Sequence, residues 1–157
     1  MVEAGQRAPS FELLDQDGQI VRLGDFKGKT MVLYFYPRAD TPGCTTQACG
    51  IRDRRTEYAA AGATVIGVSP DEPTALRKFA DKYSLDFTLV GDPDHSVAEA
   101  YGVWVEKKNY GKTYMGIQRA TFIVDGDGRI AKVFPKVSPK THDDVVLKAL
   151  MAGPYDP

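Results

Sequence analysis

Pro37-Arg38-Ala39-Asp40-Thr41-Pro42-Gly43-Cys44-Thr45-Thr46-Gln47-Ala48-Cys49-Gly50 holds both cysteines of the 157-residue chain. The apolar run Met31 to Tyr36 before it, rich in β-branched and aromatic residues, reads as a buried strand, and a long helical pattern follows it. The cysteines therefore lie where a strand hands over to a helix. Thr41 suits the N-cap and Pro42 the first helical position, which places Cys44 in the first turn. Free N–H groups and the positive dipole end of a helix N-terminus stabilise negative charge, so a cysteine there favours its thiolate and is nucleophilic near neutral pH. The position also accommodates a small buried residue, the usual fate of an isolated cysteine.

Spacing bears on what the pair can do. Two cysteines five apart on an ideal helix have Cα atoms roughly 8 to 9 Å apart, beyond the bridging limit of about 7 Å. A disulfide between Cys44 and Cys49 therefore requires the first turns to unwind. Thr45, Thr46, Cys49 and Gly50 are poor helix formers, Gly50 by about 1 kcal/mol relative to alanine, and the formers improve from Arg52 onward. We expect a cycle between a reduced, helical state and an oxidised state in which Thr45 to Ile51 has melted.

Working outward, Phe11–Leu14, the turn Asp15-Gln16-Asp17-Gly18 and Gln19–Leu23 read as a hairpin. Gly24 to Thr30 reads as a connecting turn; three residues separate its glycines where a phosphate loop needs four, and it precedes a strand. Beyond the cysteines the helix runs to about Ala61, with Gly62 as its stop. Thr64–Ser69 is a second buried strand. A helix capped by Asp71 or Ser69 carries Leu76, Phe79, Ala80 and Tyr83 on one face, followed by a short strand Asp86–Val90 and a short helix His95–Tyr101. Thr121–Val124, the turn Asp125-Gly126-Asp127-Gly128 and Arg129–Phe134 form a hairpin, and Asp143–Met151 an amphipathic helix. This alternation implies βαβ units and a mostly parallel sheet flanked by helices. With no repeat, linker or low-complexity tract, we expect one domain over residues 1–157.

With 43% apolar and 26% charged residues the chain can bury an ordinary globular core, and a net charge of −1 gives no sign of a nucleic-acid or membrane partner. The first residues lack the apolar core of a signal peptide and no run approaches transmembrane length, so a cytoplasmic location is expected. In that reducing setting a cysteine pair is catalytic or metal-binding rather than a static disulfide. His95 and His142 could complete a zinc site, but neither the four-residue gap between the cysteines nor any local histidine pair follows finger spacing; His142, at a helix start, reads as capping or surface. Arg129 and Ile130 spoil a calcium loop at Asp125. Tyr101 to Tyr114 mixes Trp104, Tyr110 and Tyr114 with Lys107, Lys108 and Lys112 and reads as a long loop near the active site or a solvated face.

Pro37, Thr41 and Cys44 match the P-x-x-x-T-x-x-C signature of peroxiredoxins, and T-P-G-C-T-T-Q-A-C resembles the Q-type, or bacterioferritin comigratory protein, subgroup. The resemblance spans nearly the whole chain, from Ala8-Pro9-Ser10-Phe11 through Tyr34-Phe35-Tyr36-Pro37 to Arg119-Ala120-Thr121-Phe122-Ile123-Val124-Asp125 and Thr141-His142-Asp143-Asp144-Val145. It implies a thioredoxin-like α/β fold with an N-terminal β-hairpin and a central mixed sheet flanked by helices. The activity it implies is reduction of hydrogen peroxide and organic hydroperoxides by a Cys44 that becomes a sulfenic acid, with Cys49 resolving it as an intramolecular disulfide. Thr41 and the backbone N–H groups of Gly43 and Cys44 would hold the peroxide oxygens, and Pro37 would shield the thiolate. Arg119 would be the cation beside it; alone, an arginine before a strand reads as a surface charge. Arg38 is a weaker candidate. The resemblance also implies thioredoxin or glutaredoxin as reductant, no metal, haem or flavin, and a monomer or weak homodimer. Ala120 departs from the serine common in related sequences. A general thiol–disulfide oxidoreductase would carry C-x-x-C, which is absent; a redox-sensing interaction module is the non-enzymatic alternative.

Overall fold

The computed structural model describes residues 1–152. Strand β1 (Glu12–Asp15) and β2 (Ile20–Arg22) form the first hairpin, and β3 (Thr30–Phe35) leads through the Pro37–Thr41 loop into α1 (Pro42–Asp53). Then come α2 (Arg55–Ala60), β4 (Ala63–Ser69), α3 (Pro73–Tyr83), β5 (Thr88–Gly91) and α4 (Ser96–Tyr101). β6 (Trp104–Asn109), β7 (Lys112–Ile117), β8 (Ala120–Val124), β9 (Ile130–Phe134) and α5 (His142–Ala152) complete the described elements.

Seven strands form one sheet in the order β2-β1-β5-β4-β3-β8-β9. The sheet is mixed rather than mostly parallel. Only β3–β4 and β4–β5 run parallel, because both flanks are antiparallel hairpins, one docked on β5 and the other on β3. This is the thioredoxin-like α/β arrangement that the resemblance implies.

The apolar run of β3 is continuous because both of its faces are covered. Met31, Leu33 and Phe35 pack into a layer with Phe122, Val97, Tyr101 and Val103, whereas Val32, Tyr34 and Tyr36 pack with Ala48, Ile51, Tyr58, Phe79 and Leu147. Truncating such a side chain to alanine costs about 2–5 kcal/mol. β3 is thereby a rigid base for the loop that follows it.

Four local expectations change. The first helix breaks at Arg54, whose backbone leaves the helical region (φ −109°, ψ 20°) while its side chain is drawn sideways to Glu57 and Asp144. Glu72, not Asp71 or Ser69, is the N-cap of α3, since Pro73 takes the first helical position. The 101–114 tract is no long loop: β6 and β7 pair across a two-residue turn in which Tyr110 and Gly111 both have positive φ (+51° and +76°), a geometry that matches strand twist. His142 is neither a cap nor on the surface; it is 1% exposed, with Nε2 2.9 Å from Thr121 Oγ1 and its ring 5.7 Å from that of Tyr34. Among the described residues no helix is long and apolar enough to cross a membrane.

Candidate active site

The Pro37–Thr41 loop is fixed at two points. The Ala39 N–H and the Ser69 hydroxyl both donate to Asp71 Oδ2 at 2.7 Å, tying the loop to the end of β4. Asp40 adopts a left-handed backbone (φ +61°), rare for a residue with a side chain, and its carboxylate accepts from Lys82 and Tyr83 on α3. Those bonds, Lys82 first, hold its carboxyl below the usual carboxylate range.

Thr41 is the N-cap by position, but its side chain does not cap. Its hydroxyl donates to the Arg38 carbonyl (2.8 Å), which leaves the oxygen an acceptor beside the cysteine. Pro42 opens the helix as expected, and the Thr45 N–H is the first to bond back, to Thr41 O at 2.8 Å. The N–H groups of Gly43 and Cys44 precede that bond and so lack an intrahelical acceptor. Cys44 is 2% exposed.

Arg119 reaches this first turn from the far end of the chain. The antiparallel register pairs Phe35 with Ala120, so residue 119 lies beside the mouth of β3 where the loop begins. Its Nη2 donates to Cys44 Sγ at 3.4 Å and its Nη1 to Gln47 Oε1 at 2.6 Å. A Cβ at position 43 would stand 3.3 Å from Nη2 and 3.5 Å from Pro139 Cγ, so glycine there admits the guanidinium. A permanent cation and a helix N-terminus thus meet at one buried sulfur. The neighbouring Tyr34 adds no negative charge, because burial, then Tyr36 and Cys44, push its hydroxyl well above the ordinary range.

The structure brings Cys44, Thr41, Gly43 and Arg119 together, with Pro37 half-buried at the loop's start and Arg38 exposed. Cys49 is half-buried on the same continuous helix and both cysteines are free, so helical geometry keeps them beyond bridging distance. Two residues escaped sequence reasoning. Gln47 is fully buried as the acceptor for Arg119, and its place three residues after Cys44, on the same helix face, was a legible sign. Lys107, on the unforeseen β6–β7 hairpin, is held below the usual lysine range by burial and then by Arg119, while Cys44 acts in the opposite sense.

Residues 4–133 match the AhpC/TSA family. Peroxiredoxin Bcp of Escherichia coli (strain K12) is 52% identical over 149 residues, covering 95% of this chain and 96% of that protein. Peroxiredoxin Bcp of Bacillus subtilis (strain 168) is 49% identical over 149 residues, covering 95% of each. A solved structure of Xanthomonas campestris bacterioferritin comigratory protein, described for its alkyl peroxide reduction activity, is similar with a TM-score of 0.89 at 34% identity, over 96% of this chain and 98% of that one.

Proposed function

Because the chain belongs to the AhpC/TSA family and is a peroxiredoxin, a thiol-dependent peroxidase, we propose that Cys44 is the thiol oxidised by peroxide and Cys49 the thiol that resolves it. The observation that carries this assignment is the Arg119 guanidinium donating to the Cys44 sulfur in the first turn of α1.

The Cys44 thiolate attacks the terminal oxygen of a hydroperoxide. An S–O bond forms, the O–O bond breaks, and the departing oxygen takes a proton from water to leave as water or an alcohol. Thr41 Oγ1 accepts from the hydroperoxide O–H, while Arg119 and the Gly43 and Cys44 N–H groups stabilise the charge developing on the oxygens. These contacts strengthen as that bond breaks, so they act on the transition state more than on bound substrate. Pro37 keeps water from the thiolate. The helix then opens, and the Cys49 sulfur displaces hydroxide from the Cys44 sulfenic acid; with the thiol proton this leaves as water and a disulfide remains. An external dithiol reductant attacks the disulfide through a mixed disulfide, returning two electrons and two protons.

Hydrogen peroxide and organic hydroperoxides are the substrates; the alkyl peroxide reduction described for the Xanthomonas relative supports the second. Thioredoxin is the reductant, with glutaredoxin the second choice. The protein acts in the cytoplasm as a monomer or weak homodimer, and one domain carries the whole cycle. Single-turnover reactions of Cys44→Ser and Cys49→Ser test the assignment. The first should abolish rapid peroxide consumption; the second should keep the first turnover but slow recycling by thioredoxin. Full single-turnover reactivity in Cys44→Ser overturns it.

A further inference from the structure

Under the far half of α1 lies a buried polar cluster that the peroxide chemistry does not use. Asp143, 8% exposed at the start of α5, accepts from the Tyr58 hydroxyl at 2.5 Å, and His142 Nδ1 stands 3.4 Å from the same oxygen. Tyr58 and His142 are themselves 2% and 1% exposed, and His142 is held on its other side by Thr121 of β8. The second carboxylate oxygen, Oδ2, lies 2.5 Å from where a Cβ of Gly50 would be. A glycine inside α1, costly to a helix by about 1 kcal/mol, is therefore what lets this carboxylate seat against the helix backbone.

Gly50 is covalently next to Cys49. For a disulfide to form, the cysteine Cα atoms must close from roughly 8–9 Å to under about 7 Å. Consecutive Cα atoms stay about 3.8 Å apart, so a shift of Cys49 drags Gly50 with it. The carboxylate is held back by its own place on α5 and by the Tyr58 hydroxyl of α2. A contact made only in the closed state stabilises that state against local opening.

We propose that Asp143 is a positioning residue for the resolving step: seated on Gly50 and held by the Tyr58 hydroxyl, it latches α1 and sets how readily the turn between Cys44 and Cys49 opens. This rests on the assignment of Cys44 and Cys49 given above. The latch governs a competition. While the helix stays closed, the Cys44 sulfenic acid survives longer and a second peroxide can carry it to the sulfinic acid; once it opens, the disulfide removes the sulfenic acid.

The test compares Asp143→Ala and Tyr58→Phe with the unaltered protein. Three quantities are read: the rate of Cys44 oxidation, the rate of disulfide formation by rapid quench and mass spectrometry, and the sulfinate fraction under excess hydrogen peroxide. Cys44 oxidation should be unchanged in both. Disulfide formation should be faster by about tenfold in Asp143→Ala and about threefold in Tyr58→Phe, the larger effect from losing the seated carboxylate and the smaller from losing the one hydrogen bond that holds it, and sulfinate should fall. If Asp143→Ala does not fold, Tyr58→Phe, which removes a single oxygen, decides alone. A disulfide forming at the unaltered rate or more slowly, or a matching change in the first step, overturns the latch. Absence of a Cys44–Cys49 disulfide in the unaltered protein overturns the underlying assignment, and the latch with it.

Discussion

Arg119 Nη2 stands 3.4 Å from the Cys44 sulfur although 75 residues separate the two along the chain. The distance depends on the β3–β8 register, which sets Phe35 opposite Ala120. A slip of one residue would turn Arg119 to the other face of the sheet. The fold thus brings a permanent cation to a thiol that the local sequence alone places at a helix N-terminus.

Replacing Arg119 with methionine keeps the bulk and removes the charge. The second-order rate of Cys44 oxidation should fall about 10²- to 10³-fold, the usual effect of deleting one preorganised donor. Arg119→Lys should lie between, since an ammonium keeps the charge but cannot fork between Cys44 and Gln47. Competition kinetics against a reference peroxidase read both values.

Gln47→Leu keeps the packing and removes the acceptor that holds the other arm of the guanidinium. Its expected effect is about a tenfold loss in the same rate, from a cation left free to turn away. Resolution by Cys49 should be unaffected, as quenched thiol counting would reveal.

Gly43→Ala separates helix propensity from site geometry. Its Cβ would stand 3.3 Å from Arg119 Nη2 and 3.5 Å from Pro139, so the guanidinium must give way while the helix gains a better former. Peroxide reactivity should drop about 3- to 10-fold, because the displaced donor no longer meets the sulfur, and the thermal midpoint should not fall. A lowered midpoint with unchanged reactivity would contradict this reading.

Asp40 supplies a pH signature. Lys82 first, and then Tyr83, hold its carboxyl below the ordinary range. A carboxyl lower in the folded than in the unfolded state stabilises the fold above about pH 4, and that contribution fades as pH falls through the lowered value. Asparagine tolerates the left-handed backbone but carries no charge, so Asp40→Asn isolates the effect. The gap in thermal midpoint between the two proteins should be widest near neutral pH and narrow toward about pH 3. A gap that is constant with pH would count against it.

What the sequence made legible was the strand, the cysteine-bearing turn and the helix, because proline, threonine and an apolar run act locally. The hairpins at Asp15 and Asp125 were legible for the same reason. The mixed character of the sheet came from the family resemblance and not from the local pattern, which suggested a mostly parallel one, since β1 finds β5 across more than seventy residues and no local signal names that partner. The β6–β7 hairpin was hidden by lysines and by a Tyr110-Gly111 turn in place of the usual asparagine–glycine pair. His142 looked like a surface cap until Thr121 supplied a partner from β8 and Tyr34 a ring to pack on. Thr41 was placed correctly as N-cap, but its hydroxyl is taken by Arg38 O, a bond within the loop that spacing does not reveal.

The central claim is that the Cys44–Cys49 disulfide forms only when the turn before Gly50 opens. Amide hydrogen exchange across residues 45–49, compared between the dithiol protein and the disulfide form, tests it most directly. Slow exchange in the dithiol form and exchange at least about tenfold faster in the disulfide form, with β3 unchanged in both, is the predicted result. Equally slow exchange across 45–49 in both forms would contradict the account.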